Sequence, residues 1–143
     1  MTDVLNSEAL IARFGRWPSF HDAEVLAVRL DSGQLTDGRS AIELDIHLFE
    51  VDGARPDGSM NYTHHTLATL RFEDTAEVEI ADFGPQNVLD DLLTEAADST
   101  GRTRVTLPSN NGLSAGFTCQ RLRVVAVEPF TPGPRSVYNR QPE

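Results

Sequence analysis

A regular alternation of apolar and polar residues in the segment 41–51 constrains the fold more than any other feature of this sequence. Side chains of a β-strand point alternately to opposite faces, so this period of two predicts a strand with one face in a core. The residues predicted to face the core are Ile42, Leu44, Ile46 and Leu48. The opposite face, which we expect to be solvent-facing, carries Glu43, Asp45, His47 and Phe49.

A second long strand is predicted after a turn-rich loop. Residues 52–59 are dominated by Gly, Pro and Asp, which favour turns. The segment from Tyr62 or Thr63 to Phe72 is rich in Thr and in β-branched or aromatic residues, as strands prefer. Residues 41–72 are therefore predicted to form a long β-hairpin. Shorter strands are predicted at 22–31, 77–80, 103–107 and 117–127, with a bulge or break near residues 120–121.

Two helices are predicted. The first begins after Ser7, a residue suited to capping, and ends at Gly15. The second covers Gln86 to Ala97, where apolar residues recur at helical spacing on one side and carboxylates lie towards the other. Because acidic residues in a last turn oppose the helix dipole, we expect the second helix to be short. The predicted fold is α+β, a mainly antiparallel β-sheet with one N-terminal helix and one short acidic helix after the hairpin.

The chain is predicted to form one domain over residues 1–130, followed by a tail over residues 131–143. A length of 143 residues suits a single core of ordinary size. Four of the eight prolines lie in the last fifteen residues, which indicates that regular structure ends there. We expect this Pro-rich tail to be mobile.

The charge of the chain is strongly acidic and unevenly distributed. The formal net charge is −10, and all twelve basic residues are Arg. Residues 73–98 hold nine carboxylates and no Arg. Such a surface repels nucleic acid and anionic lipid, and it speeds encounter with a basic protein. The alternative is a solvated acidic face that only aids solubility.

No apolar run approaches a membrane span of about 20 residues, and the N-terminus lacks signal-peptide features, so we expect a cytoplasmic protein.

The segment 14–31 concentrates large and ionisable side chains, including the only Trp. A proline disfavours the helical conformation of the residue before it, so the chain should be extended here. We interpret this segment as a structural anchor that pins the first helix onto the sheet, with the His and Asp bonded to backbone at the start of the next strand. The anchor residues are Trp17, Pro18, Phe20, His21 and Asp22. The alternative is a site in which the Asp orients the imidazole, although adjacent strand residues point to opposite faces.

The histidines allow a metal-site hypothesis. All four lie in the first 65 residues, and the hairpin could bring His47 near His64 or His65. Together with Asp22 or Asp45, they could form a site of two His and one carboxylate. No spacing such as HExxH supports such a site. We therefore predict no metal and no cofactor.

No motif in the chain predicts catalysis. The acids of the strand 41–51 could in principle act as a general acid and base, but a solvent-facing strand gives the same pattern. Residues 112–116 match G-x-S-x-G formally, but they follow a turn and lead into a strand, which is the wrong context for a nucleophile elbow. The single cysteine, Cys119, has apolar neighbours at a period of two, which predicts a buried and inert thiol.

Six motifs are spread over about residues 10–129 of this chain. The most specific motif is Phe14-Gly-x-Trp-Pro-Ser-Phe-His-Asp-Ala-Glu-Val25. The others are His47-Leu-Phe-Glu50, His65-Thr-Leu-Ala-Thr-Leu-Arg-Phe-Glu-Asp74, Gln86-Asn-Val-Leu89, Gly116-Phe-Thr-Cys-Gln-Arg-Leu122 and Val127-Glu-Pro129. Together these motifs resemble those of the immunity protein 50 family. The resemblance implies a bacterial inhibitor, without catalytic activity, that binds one cognate domain of a polymorphic toxin. It supplies no agreed binding residues.

The candidate binding residues therefore come from the charge pattern: Glu43, Asp45, His47, Glu77, Glu79, Asp82, Asp90, Asp91 and Glu95. If the toxin is a nuclease with a basic cleft, an acidic protein could occlude that cleft as a nucleic-acid mimic. Two alternatives remain: a small metal-dependent enzyme that uses His21, Asp22, His47 and His65, and a structural assembly subunit that associates through an exposed sheet edge. An exposed sheet edge is compatible with two oligomeric states, a monomer and a homodimer.

Overall fold

The computed structural model describes residues 3–134, and this part of the chain consists mostly of β-structure. Its single helix is α1 (Glu8–Phe14). The strands are β1 (Val4–Leu5), β2 (Glu24–Asp31), β3 (Ala41–Ala54), β4 (Met60–Glu73), β5 (Ala76–Ala81), β6 (Val88–Leu89), β7 (Leu93–Ala96), β8 (Thr103–Leu107), β9 (Ser109–Asn111), β10 (Ser114–Cys119) and β11 (Arg121–Pro129). The helix of these residues is too short and too polar to cross a membrane.

The strands form two sheets that share one hydrophobic core. The larger sheet has seven strands in the order β1-β11-β4-β3-β2-β6-β9, and the smaller has four in the order β5-β10-β8-β7. All neighbours are antiparallel except β1 and β11, which are parallel. The rings of Phe72 on β4 and Phe117 on β10 lie 4.9 Å apart between centroids and join the sheets through the core.

The long hairpin predicted from the alternation is confirmed. β3 and β4 each contain fourteen residues and pair in register from Ala41 opposite Glu73 to Leu48 opposite Thr66. The four residues predicted to face the core are at most 2% exposed: Ile42, Leu44, Ile46 and Leu48. The predicted break near residues 120–121 is also present, because β10 ends at Cys119 and β11 begins at Arg121.

The first predicted helix is confirmed as α1. Leu10 and Phe14 of α1 are buried in the core. Gly15 ends the helix in the left-handed conformation, with φ at +77°, and its N–H donates to the carbonyl of Ile11 at 2.7 Å. Ser7 occupies the N-cap position, but its side chain makes no capping hydrogen bond.

The second predicted helix is wrong, because residues 86–97 contain β6 and β7 instead. The buried side chain of Asn87 holds this segment extended: its oxygen accepts from the N–H groups of Gly84 and Leu113 at 2.9 and 3.1 Å. The backbone then bonds to the larger sheet, with Val25 N–H donating to Asn87 O and Leu89 N–H to Ala23 O, both at 2.8 Å. These bonds across the fold replace the local bonds that a helix would need.

The predicted tail, residues 131–143, lies largely outside the described residues, which end at Pro134. The chain leaves β11 along the outer face of the larger sheet, where the N–H of Phe130 donates to the carbonyl of His65 at 3.0 Å. Residues 130–134 therefore begin their path beside the histidines of the hairpin.

Candidate functional site

The predicted anchor residues divide into a buried group and an exposed group. Pro18 and Phe20 are buried, and Trp17 is half-buried against the core, with its ring centroid 5.6 Å from that of Phe20. These three residues connect the end of α1 to the sheet. His21 and Asp22 instead reach the surface, where their side chains are 62% and 43% exposed.

His21 and Asp22 connect the start of β2 to neighbouring turns. His21 Nδ1 lies 2.9 Å from the carbonyl of Asp90, and the N–H of Asp22 donates to the carbonyl of Leu89 at 2.9 Å. The hydrogen bond to the Asp90 carbonyl, together with the charge of Asp22, raises the pKa of His21. Asn110 donates to Asp22 Oδ1 at 3.1 Å. This arrangement borders an open cleft of about 270 Å³ that Glu50 also lines.

The outer face of the larger sheet carries a ladder of charges that neutralise one another. Arg29 binds Asp45 with two hydrogen bonds of 2.7 and 2.8 Å and reaches Glu43 at 3.1 Å. Arg71 lies 3.2 Å from Glu43, and Arg123 donates to a carboxylate of β4 at 3.1 Å. The hydrogen bonds from Arg29 lower the pKa of Asp45. Two predicted binding residues, Glu43 and Asp45, are therefore half-buried within this ladder.

The expectation that His47 faces solvent is wrong, because its side chain is buried and only 1% exposed. Its Nε2 lies 2.8 Å from Nδ1 of His65, so the hairpin does bring these two histidines together. The rings of Phe130 and Phe49 pack against His47, with centroids 4.7 and 5.6 Å away. Burial, and secondarily the proximity of His65, lower the pKa of His47 to about 4.

The residues of the metal-site hypothesis occupy different environments. His47 and His65 form the pair beneath Phe130, whereas His21 and Asp22 lie at the surface beside the turn at Asp90. Within residues 3–134, no group of three or more His, Cys, Asp or Glu side chains lies close enough to share a metal ion.

The outer face of the smaller sheet, here called the small-sheet face, has a different charge balance. The strands place their core residues inward, including Val105 and Phe117, and their alternate residues outward. The outward residues include Glu77 and Glu79 on β5, Gly116 on β10, Arg104 and Thr106 on β8, and Leu93 and Glu95 on β7. Arg104 pairs with Glu77 at 3.0 Å. Within the described residues, Glu79 and Glu95 are exposed and form no ion pair.

The remaining predicted acids lie on loops beside this sheet. Asp82 directly follows β5, and Asp90 and Asp91 form the turn between β6 and β7. Asp82 and Asp90 are exposed, and Asp91 is half-buried. The acids that the sequence grouped on one helix therefore lie on a turn and on strand β7.

A shallow groove crosses the small-sheet face at Gly116. It has a volume of about 600 Å³, and Val78, Thr106 and Ser114 are among the residues that line it. A Cβ atom added at Gly116 would have only the carbonyl oxygen of Val105 within 4 Å, at 3.9 Å. Sequence reasoning missed this feature, because a glycine in a strand carries no signal of what lies above it.

The comparison with protein families gives one match. A family model described as Immunity protein 50 matches residues 6–130 of the 143-residue chain. No curated protein and no solved structure matches the chain.

Proposed function

We propose, on the premise that the chain belongs to the immunity protein 50 family, that it binds one cognate toxin domain in the bacterial cytoplasm and neutralises it by direct contact. The family match carries this proposal, since it spans α1 and every strand from β2 to β11. The proposed activity is inhibition by occupation of a surface of the toxin, without catalysis.

The architecture supports inhibition by a preformed surface. Two sheets around one core, joined by the contact between Phe72 and Phe117, hold their outer faces in a defined shape. A rigid surface loses little conformational entropy on binding, which favours high affinity. High affinity is needed because a toxin that escapes even briefly continues to act.

The charge of the protein supports a basic partner. The net charge of −10 attracts a cationic surface and accelerates association with it. Nucleases have basic substrate clefts, so we propose a nuclease or another toxin with a basic active surface. In this proposal the exposed carboxylates Glu79, Asp82, Asp90 and Glu95 face the toxin.

A rescue assay in a bacterial host tests the proposal. The C-terminal domain of the large protein encoded beside this gene is expressed with and without the present chain. We expect the domain alone to stop growth and co-expression to restore it. Growth arrest that persists at equal expression of the folded chain would refute this toxin pairing. Purification of the two chains as one complex from rescued cells would show direct contact.

A further inference from the structure

The two outer faces of the sandwich differ in what lies beside their unpaired carboxylates. On the larger sheet, four carboxylates each lie 2.7–4.0 Å from an Arg side chain: Asp31, Glu43, Asp45 and Glu73. Glu24 and Glu128 on the same face form no ion pair within residues 3–134, and they lie in one row with His47, which Phe130 packs against.

On the small-sheet face, Arg104 forms an ion pair with Glu77, and it also lies directly opposite Glu95. Glu79 and Glu95 form no ion pair among the described residues. Glu79 lies opposite Gly116, at the open groove. A protruding segment with positive charge therefore reaches a carboxylate more readily on the small-sheet face.

We propose that the small-sheet face is the docking surface for the toxin, and that it receives a protruding basic segment of the toxin at Gly116. This inference rests on the proposed function and assigns a surface to it. The occupant is defined by its chemistry: a convex segment with Arg or Lys side chains. Charge complementarity selects it, because both outer strands offer a carboxylate that forms no ion pair among the described residues: Glu79 on β5, and Glu95 on β7 opposite Arg104.

The shape of the face suits such a segment. Gly116 and Thr106 are cross-strand neighbours in the middle of the sheet, and they leave the groove shallow and open. On β7, the apolar side chain of Leu93 lies opposite Thr106, on the same face as Glu95, and it is 49% exposed. The aliphatic stem of an Arg or Lys can pack on Leu93 while its charged head reaches Glu95.

Steric block of the groove gives the sharpest test. Gly116→Trp adds a large ring over the groove. The fold should tolerate this substitution, because the backbone of Gly116 is not in the left-handed region. Thr106→Trp, at an exposed neighbouring position, is a second blocking variant that decides the result if Gly116→Trp does not fold. Val125→Trp is the matched control, because Val125 is 50% exposed on β11 of the other sheet.

Binding is measured by calorimetry against the C-terminal domain of the neighbouring gene product, made non-toxic by substitution. We expect each blocking variant to weaken Kd by at least about 100-fold, as for a disrupted interface centre. The Val125→Trp control should bind within about 3-fold of the natural chain. Circular dichroism and urea unfolding establish that each variant is folded. If a folded blocking variant binds like the natural chain, the docking surface is elsewhere.

Two double variants of equal net charge test whether Glu79 and Glu95 themselves attract the toxin. The double variant Glu79→Gln/Glu95→Gln changes the net charge by two, as does the control Asp37→Asn/Asp52→Asn at exposed loop and hairpin positions. We expect the first pair to lower the association rate about 10-fold at low salt and the control pair to lower it much less. Equal effects of the two pairs would mean that only the net charge matters, and would overturn the assignment of Glu79 and Glu95.

The outcomes distinguish the two proposals. If the natural chain neither rescues growth nor binds the domain, the proposed function fails for that partner, and the docking surface fails with it. If the natural chain rescues and binds, and the folded blocking variants do so equally well, the function stands and the docking surface is refuted.

Discussion

Acidification should destabilise this protein through the buried His47. In the folded chain, burial and the proximity of His65 hold its pKa at about 4, against an ordinary value of 6.5. In the unfolded chain the imidazole is exposed and takes up a proton near its ordinary pKa. The unfolded state therefore binds more protons between pH 6.5 and pH 4, and the free energy of unfolding falls as the pH falls through this window.

The magnitude follows from the pKa difference. A difference of about 2.5 at about 1.4 kcal/mol per pKa unit gives a loss of about 3 kcal/mol between pH 7 and pH 4. This is a large part of the roughly 5–15 kcal/mol that stabilises a typical domain. The pKa of His65 is also lowered, mainly by burial, and its contribution has the same sign. The raised pKa values of His21 and Glu24 act in the opposite direction.

Urea unfolding at pH 7, 6, 5 and 4 measures this loss. His47→Phe keeps a ring between Phe49 and Phe130 but cannot be protonated, so its stability should depend much less on pH. His64→Asn is the matched control, because His64 is an exposed neighbour whose left-handed backbone, with φ at +54°, suits Asn. The control should lose as much stability as the natural chain. If His47→Phe loses the same amount over this range, the reasoning about His47 is refuted.

Three further predictions test the packing. Gly33→Ala should lower the free energy of unfolding by more than about 3 kcal/mol, because the added Cβ would lie 2.3 Å from the carbonyl oxygen of Arg39. Gly38→Ala, with open space around the added Cβ, should lower it by about 1 kcal/mol. Urea unfolding measures both values. Burial raises the pKa of Cys119 to about 11, so Ellman's reagent at pH 8 should modify it only after unfolding. Trp17→Ala should lower the free energy of unfolding, measured in urea, by about 2–3 kcal/mol, since the ring is half-buried. A loss below about 1 kcal/mol would show that the packing of the ring on the core contributes little to stability.

Local sequence pattern was sufficient for the hairpin and for α1. The alternation in residues 41–51 can satisfy only one face-to-core arrangement, because a shift of one residue would bury Glu43 and Asp45 and expose Leu44. Gly15 ended the predicted helix for a similarly local reason, since the left-handed conformation after a helix favours glycine.

The segment 86–97 shows where local pattern fails. Its apolar residues recur at helical spacing, but the same spacing arises from two short strands separated by the turn at Asp90 and Asp91. The deciding bonds come from elsewhere in the chain: Asn87 accepts the N–H of Leu113, and Val25 donates to the backbone of Asn87. Bonds between distant segments leave no periodicity in the sequence.

Composition alone established a strongly acidic chain, and the motifs indicated its family, but neither indicated which carboxylates a partner can reach. The polar faces of strands look alike in sequence. The tertiary structure neutralised Glu43 and Asp45 with Arg29 from the adjacent strand, and it buried His47 beneath Phe130 from the end of β11. It left Glu79 and Glu95 exposed on the small-sheet face. The physical reason is that exposure depends on what packs over a face, and the covering residues come from distant parts of the chain.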